Sequence, residues 1–187
     1  MKTIRLSCAH ALFKFLISQK TIIDGKKVPL FPGAFAIYGH GNVACLGQAM
    51  EEFQSDLPGY RGHHEQSMAL SGIGYARAMR RKQIFIATSS SGPGAMNMVT
   101  AAGVALSNRL PLLLLPGDVF ASRFPDPVLQ QVENFNSPVE NQNDAFKPVS
   151  RFFDRITRPE QILNSFCLLY TSPSPRDLST SRMPSSA

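Results

Sequence analysis

The stretch QIFIATSSSGPGAMNMVTAAGVALSNRLPLLLLP, Gln83 to Pro116, decides the fold. Gln83 to Thr88 is a short apolar run with the length and β-branched content of a buried strand. Ser89 to Gly94 is a loop carrying two glycines and a proline. Ala95 to Leu106 is rich in alanine and reads as a helix. Leu112 to Leu115 is a second apolar run between Pro111 and Pro116. Strand, glycine loop, helix and strand make a crossover unit, and such units build parallel sheets with a right-handed connection.

Working outward, the same alternation continues. Ser7 to Gln19 carries Ala11, Leu12, Phe15 and Leu16 at helical spacing, with Ser7 or Thr3 as a cap. Asp24-Gly25 marks a turn, and Ala34 to Tyr38 is a short strand ended by Gly39-His40-Gly41-Asn42. A helix is predicted from Val43 to Phe53, a strand at Tyr60 to Gly62, and a helix from Glu65 to Arg81. The fold class is therefore α/β, an open parallel sheet flanked by helices. Beyond Asp118 the prolines and polar residues predict loops with one short helix near Val128. Arg158-Pro159-Glu160 resembles a helix start, but no helix is expected to follow it. From Cys167 onward the Ser/Thr/Pro-rich sequence buries too little apolar surface to fold. The expected division is a domain over 1–166 that is incomplete at its C-terminus, and a non-native or disordered tail over 167–187.

Composition narrows the function classes. The 187 residues hold 43% hydrophobic and 17% charged residues, the balance of a globular chain. No apolar run is long enough to span a bilayer, and no signal-like apolar core follows the N-terminus. A cytoplasmic location without membrane contact is the default expectation. Cys8, Cys45 and Cys167 are too few and too far apart for a disulfide framework or a CxxC metal site. The net charge of +6 raises nucleic acid as a partner. Its one basic cluster, Arg77, Arg80, Arg81 and Lys82, falls at a predicted helix end, where cations complement the dipole, so no nucleic-acid partner is expected.

In an open parallel sheet, ligands bind beyond the carboxyl ends of the strands. Three loops lie there: Gly39 to Asn42, His63-His64-Glu65, and Ser89 to Gly94. No GxxxxGK[ST] or GxGxxG pattern is present, so neither a phosphate loop nor a dinucleotide fold is supported. Glu65 stands where a strand meets a helix, followed by the small residues Ser71-Gly72-Ile73-Gly74, which predict a partly desolvated carboxylate. Its bland reading is a helix-terminal carboxylate complementing the dipole. His63 and His64 are adjacent and lack an evident third ligand, so no metal site is expected.

Taken in order, Arg61-Gly-His-His-Glu65, Gly74-Tyr-Ala-Arg77, Ser91-Gly-Pro-Gly-Ala-Met-Asn97, Asn108-Arg-Leu-Pro111 and Pro116-Gly-Asp118 resemble the pyrimidine-binding domain of thiamine-diphosphate-dependent enzymes. The resemblance covers about residues 3 to 166. Lys2 to Leu6, Gly39 to Val43, Pro116 to Val132 and Phe152 to Gln161 resemble, more narrowly, the inositol-catabolic branch. That branch hydrolyses a carbon–carbon bond to open a cyclic 1,2-diketone to a deoxy-glucuronic acid. The resemblance implies thiamine diphosphate as cofactor and Glu65 as the catalytic carboxylate that hydrogen-bonds a pyrimidine nitrogen. It implies that Pro93, Gly94 and Asn97 shape the pyrimidine pocket, and that Gly39, Gly41 and Asn42 lie near the reacting carbon. His40 is then a candidate for binding substrate hydroxyls or acting as an acid, against the alternative of a solvated loop histidine. Tyr75 and Met98 are expected in the core. The family's Gly-Asp-Gly magnesium motif is not found in this sequence, so Mg2+ ligands are expected in a separate C-terminal domain. Such enzymes bind the cofactor between subunits, which implies a homo-oligomer and leaves this chain alone inactive. An acetolactate-synthase-type carboligase domain and a non-catalytic interaction fragment remain open as alternatives.

Overall fold

The computed structural model describes residues 3–121, 128–137 and 140–171. Its centre is a four-stranded, all-parallel sheet ordered β4-β3-β5-β6, from β3 (Ala34–Ala36), β4 (Gly59–Arg61), β5 (Ile86–Ser89) and β6 (Leu113–Pro116). Ala34 pairs with Gly59 on one side and Ile86 on the other, and Ile86 pairs in turn with Leu113. Helices cover both faces, so successive strand residues enter different cores. Ala34, Ala36, Ile86 and Leu113 face the core formed with α1 (Cys8–Ser18) and α3 (Gln48–Glu52). Phe35, Ala87, Leu112 and Leu114 face the core formed with α4 (Glu65–Ala78) and α6 (Val99–Asn108).

Small residues let the second layer lie close. Ala69, Gly72 and Ala76 stand beside Met68 and Ile73 on the buried face of α4, and Ala101, Ala102 and Ala105 form that of α6. A Cβ on Gly72 would stand 2.9 Å from Leu112 Cδ1. Within the run Ser71 to Gly74, Gly72 and Ile73 thus serve packing, and only their position on α4 connects them with Glu65. Helix α4 ends as its basic residues suggest: Arg77 is in the last turn, and Arg80 and Arg81 follow in the left-handed conformation. Tyr75 donates to Gln83 and stacks edge-on against Phe85, and Met98 is fully buried. Met98 thus lies in the core, while Tyr75 is half-buried beside Phe85.

Several elements differ from the sequence expectations. Asp24 and Gly25, both at positive φ, close a two-residue hairpin between β1 (Lys20–Ile23) and β2 (Lys26–Pro29). The sequence shows the turn, but the flanking lysines disguise the exposed strands. The helix expected from Val43 begins earlier, as α2 (Gly39–Asn42), and widens to a π-helical turn over Val43–Gly47 before α3. A short α5 (Pro93–Met96) precedes α6. Val128 to Gln131 form a turn and not a helix among the described residues, with Gln131 N donating to Val128 O at 3.2 Å. A 3-10 helix lies instead at Gln142–Val149, started by the reciprocal cap of Asn141 and Asp144.

The largest correction concerns the C-terminal stretch. Helix α7 (Gln161–Thr171) does develop, capped by Gln161 Oε1 accepting from the Thr157 and Arg158 backbones at 2.8 and 2.9 Å. Ile162, Phe166 and Leu169, at helical spacing, pack on the core under α1, and Phe166 meets Phe15 with ring centroids 5.9 Å apart. Order therefore continues past Cys167, because apolar residues at helical spacing persist to Leu169. The rest of the expected tail, 172–187, lies outside the described residues.

Phe13 is the pivot of this face, 1% exposed and stacked on Phe53. Phe13→Ala should lower the unfolding free energy by about 3–5 kcal/mol, read from urea titrations. A loss below about 1 kcal/mol would mean that α1 is not docked as described.

Candidate functional site

The chain order of the sheet creates a crevice. From β3 the chain crosses to β4 at one edge, then returns to β5 on the other side of β3. Loops leaving β3 and β5 therefore diverge, and the gap between them is the place where parallel sheets bind ligands. The loop after β5 is Ser89 to Gly94, and glycines allow the closest approaches to it. Gly39, at φ +60, leaves no room for a Cβ, which would collide with the Ser90 side chain. A Cβ on Gly117 would stand 2.7 Å from Ser91 N, and one on Gly94 3.1 Å from Glu65 Oε1. The Ser89 carbonyl accepts from Asn42 Nδ2 at 3.0 Å and Gly117 N at 3.1 Å. Three strand ends are thus tied together through backbone groups of one loop.

Two groups of candidate residues result. In the first, Glu65 opens α4 and is half-buried. Its Oε2 accepts from Asn97 Nδ2 at 2.9 Å, and Gly94 passes beside Oε1. Oε1 accepts no hydrogen bond among the described residues. His64 caps α4, with Nδ1 accepting from Ser67 N at 3.3 Å, and its Nε2 lies 3.2 Å from the same Asn97 nitrogen. Pro93 stands exposed at the start of α5. Glu65, Gly94 and Asn97 are therefore brought together, from two separate loops.

The second group lines a cleft of about 280 Å³ formed by His40, Gly41, Asn42, Ser91, Gly117, Asp118, Phe120 and Gln131. Gly41 has open space where a side chain would be. Asn42 turns its amide inward to the Ser89 carbonyl, which makes it a clamp for the loop. His40 is exposed, with Nδ1 3.2 Å from Gln130 Oε1. Ser90 joins the two groups: a Cβ on Gly94 would lie 3.3 Å from its Cβ, and its hydroxyl donates to Gln130 Oε1 at 3.2 Å. Among the described residues, no group of three or more His, Cys, Asp or Glu could hold a metal ion. No helix among them is long and apolar enough to cross a membrane.

Sequence reasoning missed the support beneath the cleft. Arg155 Nε pairs with Asp118 Oδ2 at 2.9 Å, and its Nη2 donates to Asp144 Oδ1 and Asn141 Oδ1, each at 3.0 Å. Lys147 pairs with Asp144 at 2.9 Å, and Asn143 Nδ2 donates to Gly117 O at 2.9 Å. Burial alone would push the Asp144 carboxyl up. The Lys147 and Asn141 hydrogen bonds and the Arg155 guanidinium outweigh burial and hold it below its usual range. Arg155 and its partners are 11 to 37 positions apart, and no local spacing signals them.

Residues 33–137 match the family described as thiamine pyrophosphate enzyme, N-terminal TPP binding domain. The chain is 53% identical over 165 residues to a protein of Geobacillus thermodenitrificans named 3D-(3,5/4)-trihydroxycyclohexane-1,2-dione hydrolase. It is 52% identical to proteins of the same name from Bacillus subtilis, over 164 residues, and Clostridium tetani, over 165. Each match covers 88% of this chain, which spans only 26% of the length of the curated relatives.

The Asp144 network gives stability a predictable pH dependence. A carboxyl held below its ordinary value of 3.8 stabilises the fold above that pH, and the contribution is lost as pH falls through the lowered value. Asp144→Asn should therefore be less stable than wild type at about pH 7 and lose less on acidification to about pH 3. Urea midpoints of both proteins at the two pH values check this, and parallel pH dependences would remove Asp144 as an acid-sensitive contact.

Proposed function

Because the chain belongs to the thiamine pyrophosphate enzyme family as its N-terminal TPP binding domain, we propose that it forms the pyrimidine-binding half of a thiamine diphosphate site. The enzyme it serves opens the ring of 3D-(3,5/4)-trihydroxycyclohexane-1,2-dione, giving 5-deoxy-glucuronate in inositol catabolism. The observation that carries this reading is the Glu65 carboxylate at the crevice, with one oxygen bonded by Asn97 and the other free beside Gly94. The identity to hydrolases of that name supports the substrate.

The residues fit the cofactor's pyrimidine end. An aminopyrimidine whose ring nitrogen carries a proton needs an acceptor there and a surface without side chains to lie against. Glu65 Oε1 is the acceptor, and Gly94 leaves the approach open. Asn97 fixes the carboxylate through Oε2, so that Oε1 keeps its direction when the ring arrives. With the cofactor bound, Glu65 would hydrogen-bond the pyrimidine and hold the proton at its ring nitrogen, while Gly94, Pro93 and Asn97 would bound the pocket. Thiamine diphosphate, when bound, supplies a nucleophilic thiazolium carbon and an electron sink for carbon–carbon cleavage. His40, Gly39, Gly41 and Asn42 lie on the substrate side, and His40 is the polar side chain there that can meet substrate hydroxyls. We place the magnesium and diphosphate contacts outside these 187 residues, in a homo-oligomer working in the cytoplasm, with neither nucleic acid nor membrane as partner. By itself the chain should bind the cofactor weakly and turn over nothing.

Glu65→Gln in the intact enzyme separates this role from helix-end electrostatics. Gln preserves size and can still contact the ring, but it supplies no ionisable carboxyl. Ring opening and deuterium exchange at the thiazolium carbon should both fall about a hundredfold to ten-thousandfold, the range for positioned acid–base groups. Exchange at the wild-type rate would return Glu65 to a dipole-complementing carboxylate. Turnover of pyruvate in place of the cyclic diketone would point to a carboligase.

A further inference from the structure

Five non-glycine residues among those described have positive φ, and four have ordinary structural reasons. Asp24 makes the hairpin turn, Arg80 and Arg81 follow α4, and Arg109 caps α6. Gln130, at φ 63, sits within the Val128–Gln131 turn and closes no helix or hairpin among the described residues. A left-handed conformation is unfavourable for a side chain of this type and persists where surrounding contacts impose it. Here the backbone is fixed by Gly92, whose missing side chain leaves room for the Gln130 carbonyl, and by Ser91 Oγ, 3.5 Å from that oxygen. The consequence is positional. The Gln130 carboxamide lies over the crevice, with Oε1 3.2 Å from both His40 Nδ1 and Ser90 Oγ.

From this geometry we propose that Gln130 is a positioning residue that holds His40 as the Nδ1–H tautomer, leaving the Nε2 lone pair to accept a hydrogen bond from a substrate hydroxyl. An amide oxygen only accepts, so the proton between it and the ring resides on Nδ1. The Ser90 hydroxyl donates to the same oxygen. Ser90 is itself buried and held under Gly39. Nε2 has no hydrogen-bond partner among the described residues, and His40 lines the cleft. A neutral imidazole with Nδ1 engaged this way is an acceptor at Nε2 and not a donor. The ligand it suits is a polyhydroxylated one that presents an O–H. This rests on the reading of the cleft as the substrate side of the cofactor site, and it specifies what His40 does there.

The tautomer is measurable without turnover. In the 15N-histidine-labelled protein, at a pH where the ring is neutral, His40 should show a protonated Nδ1 and a bare Nε2, with its signals assigned by loss in His40→Gln. Gln130→Met removes the acceptor and should let Nε2–H become the major form, whereas Gln130→Glu keeps an acceptor and should retain Nδ1–H. An Nε2–H tautomer in the wild type overturns the proposal, whatever the variants do. So does Nδ1–H persisting in a folded Gln130→Met protein. In the intact enzyme, Gln130→Met should lower kcat/KM for ring opening about tenfold, the worth of one hydrogen bond, with thiazolium exchange at the wild-type rate. A parallel loss of exchange would assign Gln130 to the cofactor and overturn the proposal. An intact wild-type enzyme inert towards the cyclic diketone would sink the proposed function and leave the tautomer result standing.

Discussion

The parallel pairing of Ala34–Ala36 with Ile86–Ser89 is the contact on which the remaining structure depends. Both strands are short and central, with helices on each face, and their pairing sets the order β4-β3-β5-β6. A different neighbour for β3 would remove the point where the connections diverge. Its loop and the β5 loop would then not share a crevice. The side chains are small where this matters: Ala34, Ala36 and Ala87 let the two helix layers approach the sheet closely. The site is thus a product of topology before it is a product of any polar group.

Much of this was legible because it is written locally. The apolar run into Thr88, the glycine loop and the alanine-rich helix declare a crossover unit without reference to the rest of the chain. What failed to read out was either disguised or non-local. The strands Lys20–Ile23 and Lys26–Pro29 are exposed, and their lysines suppress the apolar signal that marks a buried strand. The helix from Gln161 was hidden by its Ser/Thr/Pro-rich continuation, although Ile162, Phe166 and Leu169 keep helical spacing. Composition averages over a window, whereas packing acts on the few residues that face the core.

The site divides in the same way. Glu65, Gly94 and Asn97 could be singled out because a family pattern joins them across the chain, and the fold brings the three together. Spacing alone would have left Glu65 as a helix-terminal carboxylate, which its place at the start of α4 also makes it. The two descriptions are compatible: the carboxylate opens α4, and Asn97 aims it. Gln130, Ser90 and the Arg155 network carried no such pattern. Each acts through a partner brought near only by folding, and long-range polar contacts leave no periodic trace.

Strain and close approach concentrate at one place in this molecule. Gly39 and Gly92 have positive φ at the crevice, Gln130 adopts the left-handed conformation without being a glycine, and Gly94 and Gly117 admit no side chain without contact. Such positions add nothing to hydrophobic stability, and the non-glycine one works against it. They are offset by the apolar layers on either face and by the Arg155 pairing that fixes Asp118 below the cleft. A crevice that is to hold a ligand needs this division, since a ligand is held by groups that stay put when water leaves. Loops that packed through flexible side chains could shift to meet the ligand, and Glu65 and His40 would then lose their fixed directions. Backbone-to-backbone contact through glycine removes that freedom, and the order of the sheet is what makes the contact possible.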